Sequence, residues 1–440
     1  MHKDVFPSVD IDDLRLGMFV MLDIGWLSHP FPTNRFKLSQ THQIETLRRL
    51  GLRKVQIDPS RSDVGDATPA GVSASAALAS AQAAAQAAAA QLAAERAARQ
   101  ALERAERAQL LAAQQKNLQA CEKRFQESSR VYRKVADISA AKPKEAAEQT
   151  QVLVAGLLAD MAGAGELSIR LLSESAGEKS AQHPVNVTIV SLLLARAMGM
   201  PLADQQELGV AAFLHDIGKL QIPERVRWPV DGFNATETRM YQEHVACSVQ
   251  AAKLMGLSGA ATLAIAQHHE GHDGGGFPKR SKGDEIGALG RILSVVNRYD
   301  SLVNPVRPAA ALTPHEALAA IFSQFKSQCE PTVLSAFIRM MGIYPPGSVV
   351  QLSDDRYAMV VAVNSSRPLK PSLVIHDPRV PRHEALMVDL EKLPDISIRR
   401  SIRPQLLPAE ALDYLAPRLR VNYFFEGASE LPTPAEDSAA

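Results

Sequence analysis

Between residues 136 and 343, apolar positions recur at helical spacing in one segment after another, with no run of strict alternation. Residues 144–161 and 167–174 read as two helices leading to a third that begins at Pro184. Proline suits a first helical turn, which places His183 at the N-cap, and this helix is expected to reach Met198. Residues 205–214, 237–254, 258–267 and 286–302 complete the set. A mainly α domain is predicted, in which several helices share one interior.

The two ends carry other patterns. Residues 17–25 and 53–58 read as strands around a short helix that Ser39 or Thr41 caps and that runs to Leu50. Residues 1–59 are therefore expected to form a small α+β domain. The Pro-rich apolar stretch 26–32 should pack, with His29 structural rather than catalytic. Residues 60–72 form a Ser/Asp/Gly/Pro linker. Residues 73–135 are rich in alanine and lack proline and glycine, so one long helix is predicted, supported by Glu95–Arg99 and Glu103–Arg107 at i,i+4. It holds too few large apolar residues to be a core helix by itself. Leu92, Leu102, Leu110 and Leu118 keep no strict heptad, which favours a semi-rigid spacer over a coiled coil joining a homodimer. After residue 344 the pattern changes again. Residues 348–353, 357–363 and 372–377 read as strands, giving a small C-terminal β unit over 344–426 with a short helix at 407–415. The Pro/Glu/Ser/Ala-rich residues 427–440 are expected to be a disordered tail.

Charge and cysteine content narrow the partners. Lys+Arg and Asp+Glu both number 48, so no global field draws the chain to nucleic acid or to an anionic membrane, and phosphate recognition must be local. The three cysteines, Cys121, Cys247 and Cys329, are scattered and form no metal pair or disulfide framework, as suits a reducing cytosol. The N-terminus lacks a signal peptide's apolar core, and no window approaches the ~18 apolar residues of a membrane span. A cytoplasmic protein of two to four structural units is expected from these 440 residues.

The candidate chemistry lies in the histidines. Of 12 in the chain, six fall between His183 and His272. His268 and His269 end a small apolar helix and precede Asp273, Gly274, Gly276, Phe277 and Pro278, a composition that forces a tight turn. Adjacent residues on a helix point about 100° apart, so both imidazoles reach one ion only where the helix finishes. An isolated His-His pair is more often solvated. Here, however, His215-Asp216 also ends an apolar helix, and His183 and His244 each sit on a helix of their own. This clustering favours a metal centre, and its nitrogen-rich donors suit iron or manganese better than magnesium.

Together these elements resemble the HD-GYP family of metal-dependent cyclic-di-GMP phosphodiesterases. The family's pattern is met at His183, at His215 to Lys219, at His244 and from His268 to Pro278, with Phe277 in place of a tyrosine. The N-terminal unit resembles a domain often found before HD-GYP domains. The resemblance implies an all-helical metallohydrolase domain over 136–343 holding two divalent transition-metal ions. His183, His215, Asp216 and Asn297 would serve the first, and Asp216, His244, His268 and His269 the second. It implies that cyclic-di-GMP is hydrolysed to pGpG or GMP, with Lys219 stabilising charge on a phosphoryl or leaving-group oxygen and with signalling proteins as partners. Phosphate contacts are expected from the basic residues near the loop, Lys279, Arg280, Lys282, Arg291, Arg298 and Arg307, with Lys282, Arg291 and Arg307 foremost. Glu270 is the expected carboxylate behind an imidazole, Asp273 a turn cap and His272 a solvent-exposed residue; His376 and His383 fall outside the pattern.

Departures from the family matter too. Asn297 stands where members usually carry the aspartate that completes the first site, and an amide is a neutral, weaker ligand; Asp300 is the nearby group that could compensate. Alanines follow Arg307-Pro308 where many members have a basic run. Lys179 replaces the glutamate of three-metal members, so two ions are expected. The alternatives are a cyclic-di-GMP-responsive adaptor without turnover and an HD phosphohydrolase acting on another nucleotide.

Overall fold

The computed structural model describes residues 6–25, 28–63, 74–174, 179–228, 232–364 and 366–427, with backbone alone for 74–78 and 179. The expected tail beyond Gly427, most of the 60–72 linker, and Trp26 and Leu27 lie outside the described residues. The chain divides into two compact units, residues 1–100 and 101–440.

In the first unit, β1 (Ser8–Asp10), β2 (Phe19–Met21), β3 (Arg35–Lys37), α1 (Thr41–Arg49) and β4 (Lys54–Ile57) form an antiparallel sheet, ordered β1-β4-β2-β3, with one helix. Its core is Leu14, Val20, Leu38, Leu47 and Val55. β2 and β4 fall inside the expected strands, whereas β1 and β3, of three residues each, are too short to show alternation. The cap differs from expectation: Gln40 is the N-cap, and the Gln43 side chain accepts from the Ser39 and Gln40 N–H groups at 2.8 and 3.0 Å. His29 is buried, accepting from Phe31 N–H through Nδ1 and bonding Asn34 Oδ1 through Nε2 at 3.0 Å, which is a structural role.

The long helix α2 (Ala74–Ile138) runs close to its expected span. Its C-terminal half is not a spacer. Leu110, Cys121, Phe125, Tyr132 and Val135 are buried in the second unit, and the Gln114 amide bonds both backbone groups of Met387 at 2.8 and 2.9 Å. Residues 118, 121, 125, 128, 132 and 135 lie three or four apart and so form one stripe, which was diluted by the alanine-rich half before it.

After α3 (Pro143–Gly163), the segment expected to be a second helix is instead β5 (Leu167–Leu171). All five residues are buried, so the alternation that marks a half-exposed strand is missing. Its partners lie far along the chain. After α4 (Lys179–Ala197), α5 (Leu202–Leu214), α6 (Ala235–Met255), α7 (Gly259–Gln267), α8 (Ala288–Val303), α9 (Pro314–Ser323) and α10 (Pro331–Met341) come β6 (Val349–Leu352), β7 (Tyr357–Asn364), β8 (Ser372–Ile375), β9 (Met387–Asp389), β10 (Ile398–Ile402), α11 (Ala409–Leu415) and β11 (Tyr423–Gly427). β5 lies between β7 and β11 in a seven-stranded antiparallel sheet ordered β10-β6-β7-β5-β11, with β8 pairing β7 and β9. Residues 344–426 therefore share a sheet and a core with the helices rather than standing apart.

α4 begins at Lys179, so His183 lies inside its second turn and not at an N-cap. Proline at 184 is tolerated because it removes only one hydrogen bond close to the helix start. The chain as a whole is mainly helical, with small sheets toward each end, and no described helix is long and apolar enough to cross a membrane.

If the distal half of α2 is core, Phe125→Ala should lower stability by about 3–5 kcal/mol in urea titration. Leu92→Ala, on the exposed half, should change it by no more than about 0.5 kcal/mol. Equal effects would remove the distinction.

Candidate metal centre

Four helices, α4 to α7, deliver one group or pair each to a single buried point. α5 ends at Leu214, so His215 and Asp216 leave it directly and enter a tight turn over Ile217–Gln221. Gly218 lets that turn lie against α6: an added Cβ would fall 2.3 Å from the His244 carbonyl oxygen and 2.3 Å from the Ser248 nitrogen. The contact is sealed by Gly218 N–H donating to Ser248 Oγ at 2.9 Å. α7 ends at Gln267, as the glycine-rich sequence after it predicts, so His268 and His269 both turn inward.

The geometry of the donors is specific. His215 and His268 each donate Nδ1–H to a carbonyl three residues back, Ala212 at 2.7 Å and Ile265 at 2.6 Å, and His244 does the same with Tyr241. This leaves each Nε2 as a lone-pair acceptor. His183 Nε2 then lies 3.2 Å from His215 Nε2, and His244 Nε2 lies 3.3 Å from His268 Nε2. Both pairs face Asp216: His183 and His215 stand 3.5 and 3.4 Å from Oδ2, and His244 and His268 stand 3.4 and 3.7 Å from Oδ1. Lone pairs this close repel unless a cation lies among them. Asp216 Oδ1 is buried and has no hydrogen-bond partner. The residues thus fit metal ions, as two groups that share Asp216: His183, His215 and Asp216, and Asp216, His244, His268 and His269.

Electrostatics agree. Burial alone would raise the Asp216 carboxyl, but the Lys219 ammonium, then His215, outweigh it and hold it well below the usual carboxylate range. Lys219 Nζ donates to Asp216 Oδ2 at 2.6 Å and lies over the Trp228 and Tyr241 rings at 5.0 and 5.6 Å. Burial takes His244 down to about 4. It also takes His268 and His269 well below 6.5, reinforced by His215 and His268 respectively. Ligand histidines must be neutral to bind a metal, and these are.

Two family models match the chain. One, described as HD domain, covers residues 166–333, and the other, domain of unknown function DUF3391, covers residues 8–150. The chain carries an HD domain. The cyclic di-GMP phosphodiesterase PA4108 of Pseudomonas aeruginosa is 26% identical over 377 residues, covering 84% of this chain and 85% of that one. The 3'3'-cGAMP-specific phosphodiesterase 3 of Vibrio cholerae is 32% identical over 169 residues, 38% of this chain and 36% of its own length. Among solved structures, Bd1817, an HDG"Y"P protein from Bdellovibrio bacteriovorus, matches 76% of this chain and 98% of its own at 16% identity and a TM-score of 0.37.

Outside the cluster, the HD domain places other expected residues differently. Glu270 does not back an imidazole: its buried carboxylate accepts from Lys279 N–H at 2.7 Å and Ser281 N–H at 2.9 Å, lacing the loop to its own start. Asp273 is a turn cap, accepting from Gly275 N–H and Ser327 Oγ at 2.8 Å each. Gly276 is obligatory, since a Cβ there would meet the His269 oxygen at 2.3 Å and the Gly271 nitrogen at 2.4 Å. Gly274 has φ +82°, a backbone that glycine adopts without strain. Phe277 stacks on His269, with ring centroids 4.4 Å apart, and Pro278 follows it at the exposed rim. His272 is half-buried rather than exposed, because its backbone N–H pairs with the Gln328 carbonyl.

The guanidinium of Arg291 holds residues 283–286, bonding Ile286 O at 2.7 Å, Gly283 O at 3.2 Å and Asp284 at 2.8 Å. Arg298 lies over the Phe325 ring. Lys279, Arg280, Lys282 and Arg307 are exposed. Among described contacts, Lys219 is the basic residue that reaches the cluster. Asn297 is buried, with Nδ2 3.5 Å from the His268 carbonyl. Asp300 meets His183 from behind, accepting from Nδ1 at 2.6 Å, and so stands on the far side of the ring from the cluster. Tyr241 went unnoticed in the sequence; its hydroxyl lies 3.5 Å from His269 Nε2, and no motif marks it.

In metal-stripped protein these histidines make stability depend on pH. Folded, burial keeps His244 neutral down to about pH 4 and holds His268 and His269 well below their ordinary range. Unfolded, they take up protons near pH 6.5. The unfolded state binds more protons in that window, so stability should fall as pH drops from 6.5 toward 4. The slope should be about 1.4 kcal/mol per pH unit for each imidazole fully affected. Urea midpoints in chelator at pH 7 and pH 5 test this; an unchanged or higher midpoint at pH 5 would mean the rings are already charged in the fold.

Proposed function

We propose that this chain is a metal-dependent phosphodiesterase that hydrolyses cyclic-di-GMP to pGpG or GMP. The observation that carries the reading is the convergence of two imidazole pairs on opposite oxygens of one buried carboxylate. The relative PA4108, named a cyclic di-GMP phosphodiesterase and similar over most of both chains, supports the substrate class. Iron or manganese is the proposed metal, with His183, His215 and Asp216 holding one ion and Asp216, His244, His268 and His269 the other. When bound, two such ions supply an activated water and neutralise charge on the phosphodiester.

The chain's own groups do the rest. The Nδ1 bonds to Ala212, Tyr241 and Ile265 fix the tautomer of each ring and aim its Nε2 into the cluster. Lys219, held on Asp216 between Trp228 and Tyr241, has an ammonium ready for a phosphoryl oxygen. Phe277, stacked on His269, holds that ring in place from the loop side.

Asn297 motivates a second reading, a nucleotide-responsive adaptor without turnover. Its amide is neutral and so adds no charge to the first site, and its nitrogen turns to the His268 carbonyl. A count of iron and manganese per chain, with chromatography of products from cyclic-di-GMP and 3'3'-cGAMP, separates the readings. About two ions and linear product support the enzyme; nucleotide bound and unchanged supports the adaptor; product from 3'3'-cGAMP alone corrects the substrate.

Asp216→Ala should lose both ions and all hydrolysis, and full activity in that variant would sink the mechanism. Asn297→Asp should raise the metal affinity of the first site, read by calorimetry with Mn2+; an unaltered isotherm would place Asn297 outside it.

A further inference from the structure

The four imidazoles whose Nδ1 bonds are described are not held alike. His215, His244 and His268 donate to backbone carbonyls within their own helical turns, whereas His183 donates to the Asp300 carboxylate. A carboxylate behind a ligand histidine orients the ring and increases its basicity more than a neutral carbonyl does. His183 also belongs to the group with fewer donors, where Asn297 brings no charge.

Asp300 is itself held by two amides that are tied in turn to the C-terminal segment. Its Oδ1 accepts from Asn186 Nδ2 on α4 and from Asn304 Nδ2 just beyond α8, both at 2.9 Å. The same two amides donate to the Val421 carbonyl at 2.8 and 2.9 Å. Their oxygens accept from backbone, Asn186 Oδ1 from Tyr423 N–H at 3.0 Å and Asn304 Oδ1 from Val421 N–H at 2.8 Å. The Tyr423 hydroxyl pairs with that of Tyr299, one residue before Asp300, at 2.9 Å. Asn186, Asp300 and Tyr423 are at most 2% exposed. A buried network with both ends of each amide satisfied has one arrangement rather than several.

We propose that Asp300 is the positioning residue of the first cation site, and that residues 421–423, which lie beyond the matched HD domain, hold it in place. Asp300 thus answers the loss of charge at Asn297 by acting through His183 rather than by touching the ion. The last strand is then part of the metal centre, and the HD segment 166–333 alone is incomplete. This inference rests on the two-ion reading above.

The test uses the full chain, stripped with chelator and titrated with Mn2+ by calorimetry, alongside its melting temperature. Asp300→Asn keeps the shape and removes the charge. Its first-site affinity should fall roughly 10–100-fold while the second site is unchanged. His183→Ala should abolish the same step of the isotherm, which identifies it. Asn304→Ala, a milder change, should weaken that step in the same direction. Wild-type affinity at both sites in Asp300→Asn overturns the proposal, and so does equal weakening of both sites together with a lowered melting temperature, which marks a merely structural role. If wild type binds two ions but turns over no cyclic dinucleotide, the functional reading fails, while a selective first-site loss in Asp300→Asn still upholds the positioning role.

Discussion

A carboxylate placed in a protein interior must be neutralised or protonated, because desolvation penalises its charge heavily. Asp216 is such a group, and the second unit is arranged around it. Lys219 supplies one positive charge from a single turn away, and five imidazoles on or at the ends of four helices bring only lone pairs. Oδ1 is left with no hydrogen bond at all. An assembly of acceptors around an unpaired oxygen is a fit for cations, so the centre's chemistry follows from its charge balance. Lys219 sits on Oδ2, the oxygen that His183 and His215 face, so its ammonium lies beside the first group of donors.

Bringing those groups together places strict demands on the backbone. The turn after α5 must touch α6, and Gly218 is the residue that permits it, because any side chain there would strike the His244 carbonyl. The loop after His269 must fold back on its own start, and Gly276 permits that for the same reason. Glu270 then ties the loop through two amides, and Phe277 covers His269. The glycines, the buried carboxylate and the aromatic ring serve as one support for two imidazoles. A phenylalanine in place of tyrosine preserves that support, since the ring and not a hydroxyl makes the contact.

The sheet is equally involved. β5 enters it from between α3 and α4, and β11 returns to it after more than 250 intervening residues. Through Asn186 and Asn304 the same C-terminal segment reaches the carboxylate behind His183. Helices and sheet therefore form one cooperative structure, and the distal half of α2 closes it, with Phe125 and Tyr132 in the common core.

The chain's sequence determined which residues meet. Histidines ending apolar helices, a His-Asp pair before a glycine, and a glycine-rich turn are local features, and their chemistry restricts them to few roles. The helices bearing His215, His244 and His268 were legible for the same reason, since helical periodicity is a property of nearby residues. Only the tertiary structure decided the rest. β5 became a strand because β7 and β11 offered it hydrogen bonds from distant sequence, and its buried faces erased the alternation that would have announced it. Glu270, Arg291 and Asp300 found partners other than those expected, because a charged side chain takes the nearest group that satisfies it in space. Periodicity records which side of an element is buried; what it is buried against depends on contacts between residues far apart in the chain.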